Sequence, residues 1–354
     1  MFDVVTIGSA TKDAFIETEG ANIVSVAQKD KKSEFMSYPY GSKIEIDDFN
    51  IAIGGGAINT ACNFSNLGMK TATIVKIGED STGQDILNML KERNISTDAV
   101  IKDSTDNTGF SVILLSFQGD RTVLAHRGPN AKLKIEDINF DIIKKSRWLY
   151  IAPLNGESTN VLDAISDFAE ENDVNMAINV GTSSIKRGAK YLHKILKTAE
   201  VVLMNTEEAS MLTEISIRPD TKDIQYSKNK IHPDIISMMK KLKSTKAKIV
   251  VLTDGNKGAY AYDGENFYQC DEFPAEVVST LGAGDAFAST FVTILDKTGW
   301  DIEKALVGAA INSASVVERF NAQDGQLTYE EIIKKQEKMK NFTCKRYSEK
   351  ACHD

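Results

Sequence analysis

Val277-Val278-Ser279-Thr280-Leu281-Gly282-Ala283-Gly284-Asp285-Ala286-Phe287 is the stretch whose reading decides the fold. Two β-branched residues lead in, a small-residue turn follows, and a helix-like run leaves it from Asp285 to Leu295. Gly282 and Gly284 let the backbone take positive φ or approach a ligand closely. If a helix starts here, its first N–H groups lack internal partners and its dipole favours negative charge. Such a turn can hold a phosphate, or the charge that develops on one. Asp285 then sits beside the anion, placed to take a proton from an attacking hydroxyl. The same residues could instead form only a tight strand–helix turn with Asp285 as a cap. The Walker pattern is excluded, because no Lys-Ser/Thr pair follows the second glycine.

A second glycine turn, Gly54-Gly55-Gly56-Ala57-Ile58-Asn59-Thr60-Ala61, opens another helical run. Ala57, Ile58, Ala61, Cys62 and Ser65 are small or apolar, so this helix is expected to pack closely inside. Asn59 is its polar member, either a satisfied core amide or a group facing the turn.

Thr280 to Phe287 resembles the C-terminal signature of the ribokinase-like (PfkB) carbohydrate kinases, and Gly54 to Ala61 followed by Leu67-Gly68 resembles their N-terminal signature. Order and separation also match, and the resemblance covers roughly residues 1–335. It implies a ribokinase-like α/β fold, with a mostly parallel central sheet, helices on both faces and a small β-sheet lid. It further implies an ATP-dependent, Mg²⁺-requiring kinase of a sugar or related small alcohol. Three positions depart from the family. Ser279 stands where many members have Asp, Leu281 where many have Thr, and Thr290 in place of a frequent helix glycine. These leave the base and the anion turn intact but put in question the monovalent-cation site that some members build nearby. Pro153-Leu154 follows a strand where ribose-specific members offer a carboxylate, which argues against ribose.

The composition is that of a soluble globular chain: 354 residues, 42 % hydrophobic and 26 % charged. No run reaches the ~18 apolar residues needed to span a bilayer. No basic-then-apolar leader precedes the strand pattern that opens at Val4, so a cytoplasmic protein is expected. A net charge of −8 disfavours nucleic acid as a partner. Cys62, Cys270, Cys344 and Cys352 lack CxxC spacing. Cys352 beside His353 could bind a metal, but reduced, idle thiols fit the spacing better.

Strand and helix patterns alternate along the chain. Val4 to Gly8, Thr71 to Ile77, Trp148 to Ala152, Asn175 to Asn179, Val201 to Met204 and Lys248 to Leu252 read as strands. Gly83 to Arg93, Val161 to Glu171, Ala189 to Lys197, Ile235 to Leu242, Ile302 to Phe320 and Tyr329 to Met339 read as helices. Such alternation predicts a parallel sheet covered on both faces. Segments 17–50 and 109–126 alternate differently, as strands with one wet face. Phe110 to Phe117 and Arg121 to His126 pair there through a Gln118-Gly119-Asp120 turn. Residues 216–234 read as a polar surface insertion. The expected organisation is one kinase domain over 1–340, with its lid from about 17–50 and 109–126, and a polar tail over 341–354.

The resemblance assigns the remaining roles. Asp13, beyond the first strand, is a turn cap by its local pattern; the family uses an aspartate here to hold sugar hydroxyls. Gly54, Gly55 and Asn59 complete the acceptor site. Asn205-Thr206-Glu207-Glu208 follows a strand and reads either as a capped helix or as a water-mediated Mg²⁺ site. The family's Asn-x-x-Glu pattern matches Asn205 and Glu208. Thr253, Gly255 and Gly258 would touch the nucleotide, and Asn312 would approach the adenine. Gly282, Ala283 and Gly284 form the anion hole beside the base, Asp285. Lys43 and Arg127 could meet a charged substrate group or serve only as surface cations. Two alternatives remain open: a nucleoside kinase of the same fold, and a non-catalytic sugar-binding member. The resemblance also implies a homodimer joined through the lids. The continuous apolar run Phe110 to Leu115 supports it, since a one-faced lid needs only alternation.

Overall fold

The computed structural model describes residues 1–28, 31–115, 121–218, 231–245 and 247–349. Among these, nine strands make the central sheet. Their order is Lys345–Ser348, Asn266–Cys270, Ala259–Tyr262, Ile249–Thr253, Val201–Asn205, Asn175–Asn179, Ser146–Ile151, Phe2–Ile7, Thr71–Ile74. The last six run parallel and the first three antiparallel. Side chains alternate between faces along a strand, yet here both faces are buried, which is why these strands read as continuous apolar runs. Val5, Ile7, Leu149 and Ile151 face one core, covered by the helices Leu162–Glu171, His193–Thr198 and Pro233–Lys243. Val4, Trp148 and Tyr150 face the other, covered by Gly56–Asn66, Ala283–Lys297 and Ile302–Val317.

A four-stranded sheet in the order Arg121–His126, Gly109–Leu115, Thr11–Glu17, Asp48–Gly54 forms the lid. Its register puts Asp13 opposite Ala52 and Ser111, and Ile113 opposite Phe15 and Val123. The face that carries Asp13 therefore also carries Ile113, which is 2 % exposed. The outer face carries Ile51, Val112, Leu114 and Leu124. Apolar residues stand on both faces, Ile113 and Leu115 on one and Val112 and Leu114 on the other, which accounts for the run Val112 to Leu115. Between Thr11–Glu17 and Asp48–Gly54 the chain makes a separate hairpin, Asn22–Gln28 with Lys31–Ser37.

Several boundaries differ from expectation. The lid begins at Thr11, so Asp13 lies inside a lid strand rather than in a loop. Thr71 to Ile77 is not one strand: Thr71–Ile74 belongs to the central sheet, while Lys76–Gly78 pairs with Ile101–Asp103. Ala189 to Lys197 breaks into a 3₁₀ turn and the helix His193–Thr198. Val277 and Val278 are exposed loop, tied to the end of the Ile302–Val317 helix by Val278 N–H on Val317 O at 2.8 Å. The segment read as a polar tail supplies the edge strand Lys345–Ser348, whose alternating exposure suits a half-wet edge. The turn expected at Gln118-Gly119-Asp120, most of the 216–234 insertion, and Cys352 with His353 lie outside the described residues.

Candidate active site

The glycine turn and its helix stand as the sequence suggests. Gly282 precedes the Ala283–Lys297 helix at φ 76°, ψ −5°, and no side chain caps the helix start. A Cβ at Gly282 would lie 2.3 Å from the Cβ of Ala322, so handedness and space both require glycine. Gly284 is helical and a Cβ there would meet nothing within 4 Å. Its missing side chain leaves room on the cavity side. The first-turn N–H groups, beginning with that of Ala283, thus open towards a cavity with the dipole behind them.

Asp285 lies in that first turn, enclosed on most sides and open at the groove. Burial pushes its carboxyl from 3.8 up to about 6, opposed by a hydrogen bond from Asn59. Asn59 Nδ2 donates to Asp285 Oδ2 at 2.8 Å. Tyr150 lies beneath, its phenol held well above its ordinary range by burial and by the Asp285 charge. Gly55 starts the Gly56–Asn66 helix at φ 97°, and a Cβ there would lie 2.5 Å from Ser9 O. A Cβ on Gly54 would lie 2.3 Å from Asp13 Oδ2. Asp13 itself is buried, and burial raises its carboxyl pKa while the Ser111 and Thr11 hydroxyls hold it down. The lid carboxylate, both glycine turns and Asp285 therefore converge from separate parts of the chain.

A cavity of ≈ 440 Å³ opens on the other side of the turn. Asn205, Thr253, Gly255, Gly258, Ala283 and Gly284 are among the residues that line it. Asn205 and Thr253 end neighbouring parallel strands in register, which sets them side by side. Gly258, at φ 88°, would place a Cβ 2.1 Å from Cys270 O, so it too must be glycine. Asn312 is not on the cavity wall. It is fully buried, donating to Asn63 Oδ1 at 2.9 Å and Thr290 Oγ1 at 2.7 Å and accepting from Leu327 N at 2.8 Å. Its neighbours Ser313 and Ala314 line the cavity instead. One residue's rotation, about 100° on a helix, separates the two outcomes.

Both readings of the Asn205 segment bear on the geometry. Asn205 Oδ1 accepts from Glu208 N at 2.7 Å, and Glu208 Oε2 accepts from Asn205 N at 3.2 Å, a full capping box. Glu208 Oε1 accepts from Thr182 N and Oγ1 at 2.9 and 3.1 Å, and burial raises its pKa. Among the described residues no cluster of three or more His, Cys, Asp or Glu could cage a metal directly. A hydrated Mg²⁺ carried mainly by phosphates needs only one or two protein groups. Asn205 at the cavity wall with Glu208 behind it fits that. At position 279 a serine hydroxyl accepts from Leu281 N at 3.3 Å, so no carboxylate is offered there to a monovalent cation. Lys43 and Arg127 are both exposed.

Sequence reasoning missed Gln323 and Gln326, which surround Asn59 from a loop over 200 residues away in the chain. No local pattern marks them; only the return of the chain beneath the lid does.

The model of the pfkB family of carbohydrate kinases matches residues 4–328. The 5-dehydro-2-deoxygluconokinase of Geobacillus thermodenitrificans is 28 % identical over 297 residues, 80 % of this chain and 84 % of that protein. A probable fructokinase of Arabidopsis thaliana is 26 % identical over 271 residues, 73 % and 78 % of the two chains. The fold is shared with the Arabidopsis thaliana ribokinase solved with ribose and ATP. Its TM-score is 0.74 at 22 % identity, covering 94 % of this chain and 98 % of that one.

Proposed function

The chain belongs to the pfkB family of carbohydrate kinases, and from that premise we propose that it transfers the γ-phosphoryl group of ATP to a hydroxyl of a small sugar or keto-sugar acid in the cytoplasm. One observation carries the mechanism. A half-enclosed carboxylate, Asp285, lies in the same helical turn as a set of uncapped N–H groups at the mouth of a cavity. ATP lies in that cavity, against Asn205, Thr253, Gly255 and Gly258. The acceptor lies under the lid, between Asp13, the Gly54-Gly55 turn and the Asn59–Asp285 pair.

The acceptor oxygen attacks the γ-phosphorus as its proton passes to the Asp285 carboxylate. The bond to the bridging oxygen breaks, and ADP leaves with the electron pair. A base with a pKa of about 6 is mostly ionised at neutral pH, yet basic enough to accept the proton. The N–H groups of Gly282, Ala283 and Gly284 meet the charge on the transferring group, one such donor being worth roughly 3 kcal/mol. Asn205, with Glu208 behind it, would hold a hydrated Mg²⁺, which would supply neutralisation of the phosphate charge. Closing the lid excludes water from the transfer.

Two copies join through the outer lid faces, where Ile51 and Leu124 are half-exposed beside Val112 and Leu114. A small sheet with an open apolar face needs a cover.

An ADP-release screen over sugars, keto-sugar acids and nucleosides tests the activity. We expect turnover with a sugar or sugar acid. Turnover with nucleosides alone would replace this reading with a nucleoside kinase, and no turnover with any acceptor would favour a binding protein.

A further inference from the structure

The segment after the Ile302–Val317 helix turns back beneath the lid. Phe320 meets Phe15 edge-on, ring centroids 4.8 Å apart. Gln323 follows, 7 % exposed. Its Nε2 donates to Ile53 O at 2.8 Å and to Asn59 Oδ1 at 3.2 Å. Asn59 Nδ2 in turn donates to Asp285 Oδ2 at 2.8 Å. Gln326 reaches only the backbone of Asn59, its Nε2 donating to Asn59 O at 3.0 Å.

Both ends of this relay can only accept. Ile53 offers a carbonyl oxygen, and ionised Asp285 offers a carboxylate. Gln323 must therefore turn its NH₂ towards Ile53 and Asn59, and Asn59 must turn its own NH₂ towards Asp285. Without the Gln323 donor, the Asp285 carboxylate alone selects the Asn59 orientation, and the amide loses the second anchor that holds its NH₂ on Asp285 Oδ2.

We propose that Gln323 is a positioning residue for phosphoryl transfer: it locks the Asn59 amide in the orientation that donates to Asp285, and does so only while the lid strand Asp48–Gly54 is in place. Ile53 adjoins Gly54, which rests against Asp13 on the acceptor side of the lid. The state of the base is thus tied to the position of the strand that touches the acceptor. This rests on the reading of Asp285 as base.

A hydrogen bond to the ionised form favours ionisation. The Gly56–Asn66 helix has no acid in its first turn and no base in its last. Tyr150 on the strand beneath stays neutral. Asp13 faces from the lid, and Lys297 closes the far end of the Asp285 helix. Of the charged groups on the returning loop, Asp324 accepts from Asn321. Burial raises the Asp285 carboxyl and the Asn59 hydrogen bond opposes it.

The test is the pH profile of kcat/KM for the acceptor. In Gln323→Leu the acid limb should move up by about half a unit to one unit, with ATP KM unchanged. Gln326→Leu, which removes a backbone contact only, should lower Tm and leave the limb in place. In an Asn59→Ala background, Gln323→Leu should add no further shift. If Gln323→Leu does not fold, Gln323→Met keeps the length, adds no charge and cannot donate, so its limb should rise as well. An unmoved limb in the folded Gln323 variant, or an equal shift in Gln326→Leu, overturns the inference. An unmoved limb in an enzyme that still needs Asp285 sinks this inference alone. Full activity of Asp285→Asn sinks it together with the base assignment.

Discussion

At the scale of single residues, Asp285, in the proposed role of base, sets stability against function. Its folded pKa, about 6, stands above the ordinary 3.8. The folded state therefore holds more protons than the unfolded one between those values, so stability falls as pH rises from about 4 to 6. Ionised at neutral pH, the carboxylate costs up to about 3 kcal/mol, from roughly two units at 1.36 each. Asp285→Asn keeps the shape and removes the charge. We expect turnover to fall by about two to four orders of magnitude. The same variant should gain about 1–3 kcal/mol at pH 7 and almost nothing at pH 4, read by thermal unfolding at both values. Near-normal turnover would remove Asp285 from the chemistry. Glu208→Gln can keep the capping bond from Asn205 N with its one amide oxygen, but its NH₂ then faces Thr182 N, a donor that Glu208 satisfies. It should raise the Mg²⁺ concentration for half-maximal rate about three- to tenfold, with acceptor KM unchanged. An unaltered Mg²⁺ titration contradicts the metal role.

At the scale of the element, two glycines in one turn serve different ends. Gly282 has left-handed backbone and a neighbour in the way, while Gly284 has helical backbone and open space. Gly282→Ala should cost about 2–4 kcal/mol, combining backbone strain with a clash against Ala322. Gly284→Ala should stabilise the helix by about 0.5–1 kcal/mol. Yet its methyl enters the cavity, so ATP KM should rise. Unfolding curves with ATP titrations separate the two. Equal stability losses would show that both glycines serve the backbone alone. The sequence pattern Gly-Ala-Gly could not tell these roles apart, because φ and the neighbour at Ala322 are set by the rest of the fold.

At the scale of the whole molecule, the proposed dimer would join through the lid. The outer-face substitutions Ile51→Glu and Leu124→Glu should convert a dimer to a monomer in light scattering while Tm of the main domain holds. Ile113→Glu should instead disrupt the lid itself, since Ile113 lies on the buried, Asp13-bearing face. A monomer mass for the unaltered protein rejects the dimer. A dimer that survives both outer-face changes places the interface elsewhere.

Local chemistry was enough to read the alternating strands and helices, the two glycine turns, and an acid in the first turn of a helix. Those features depend on residues within a few positions of one another, where propensity, capping and handedness act. Asn59 shows where such reading stops. Its helix and its polarity were legible, but the sequence could not say whether it faces substrate or core. The fold brings Asp285 from 226 residues away and Gln323 from 264, so its partners are fixed only when the sheet and lid close. Asn312 shows the same limit within one helix: neighbouring positions look alike in sequence, and only packing assigns one to the buried Asn63–Thr290 network and the next to the cavity. The edge strand Lys345–Ser348 is polar because half of it meets water. It becomes a strand only because Asn266–Cys270 offers it a row of unpaired backbone groups.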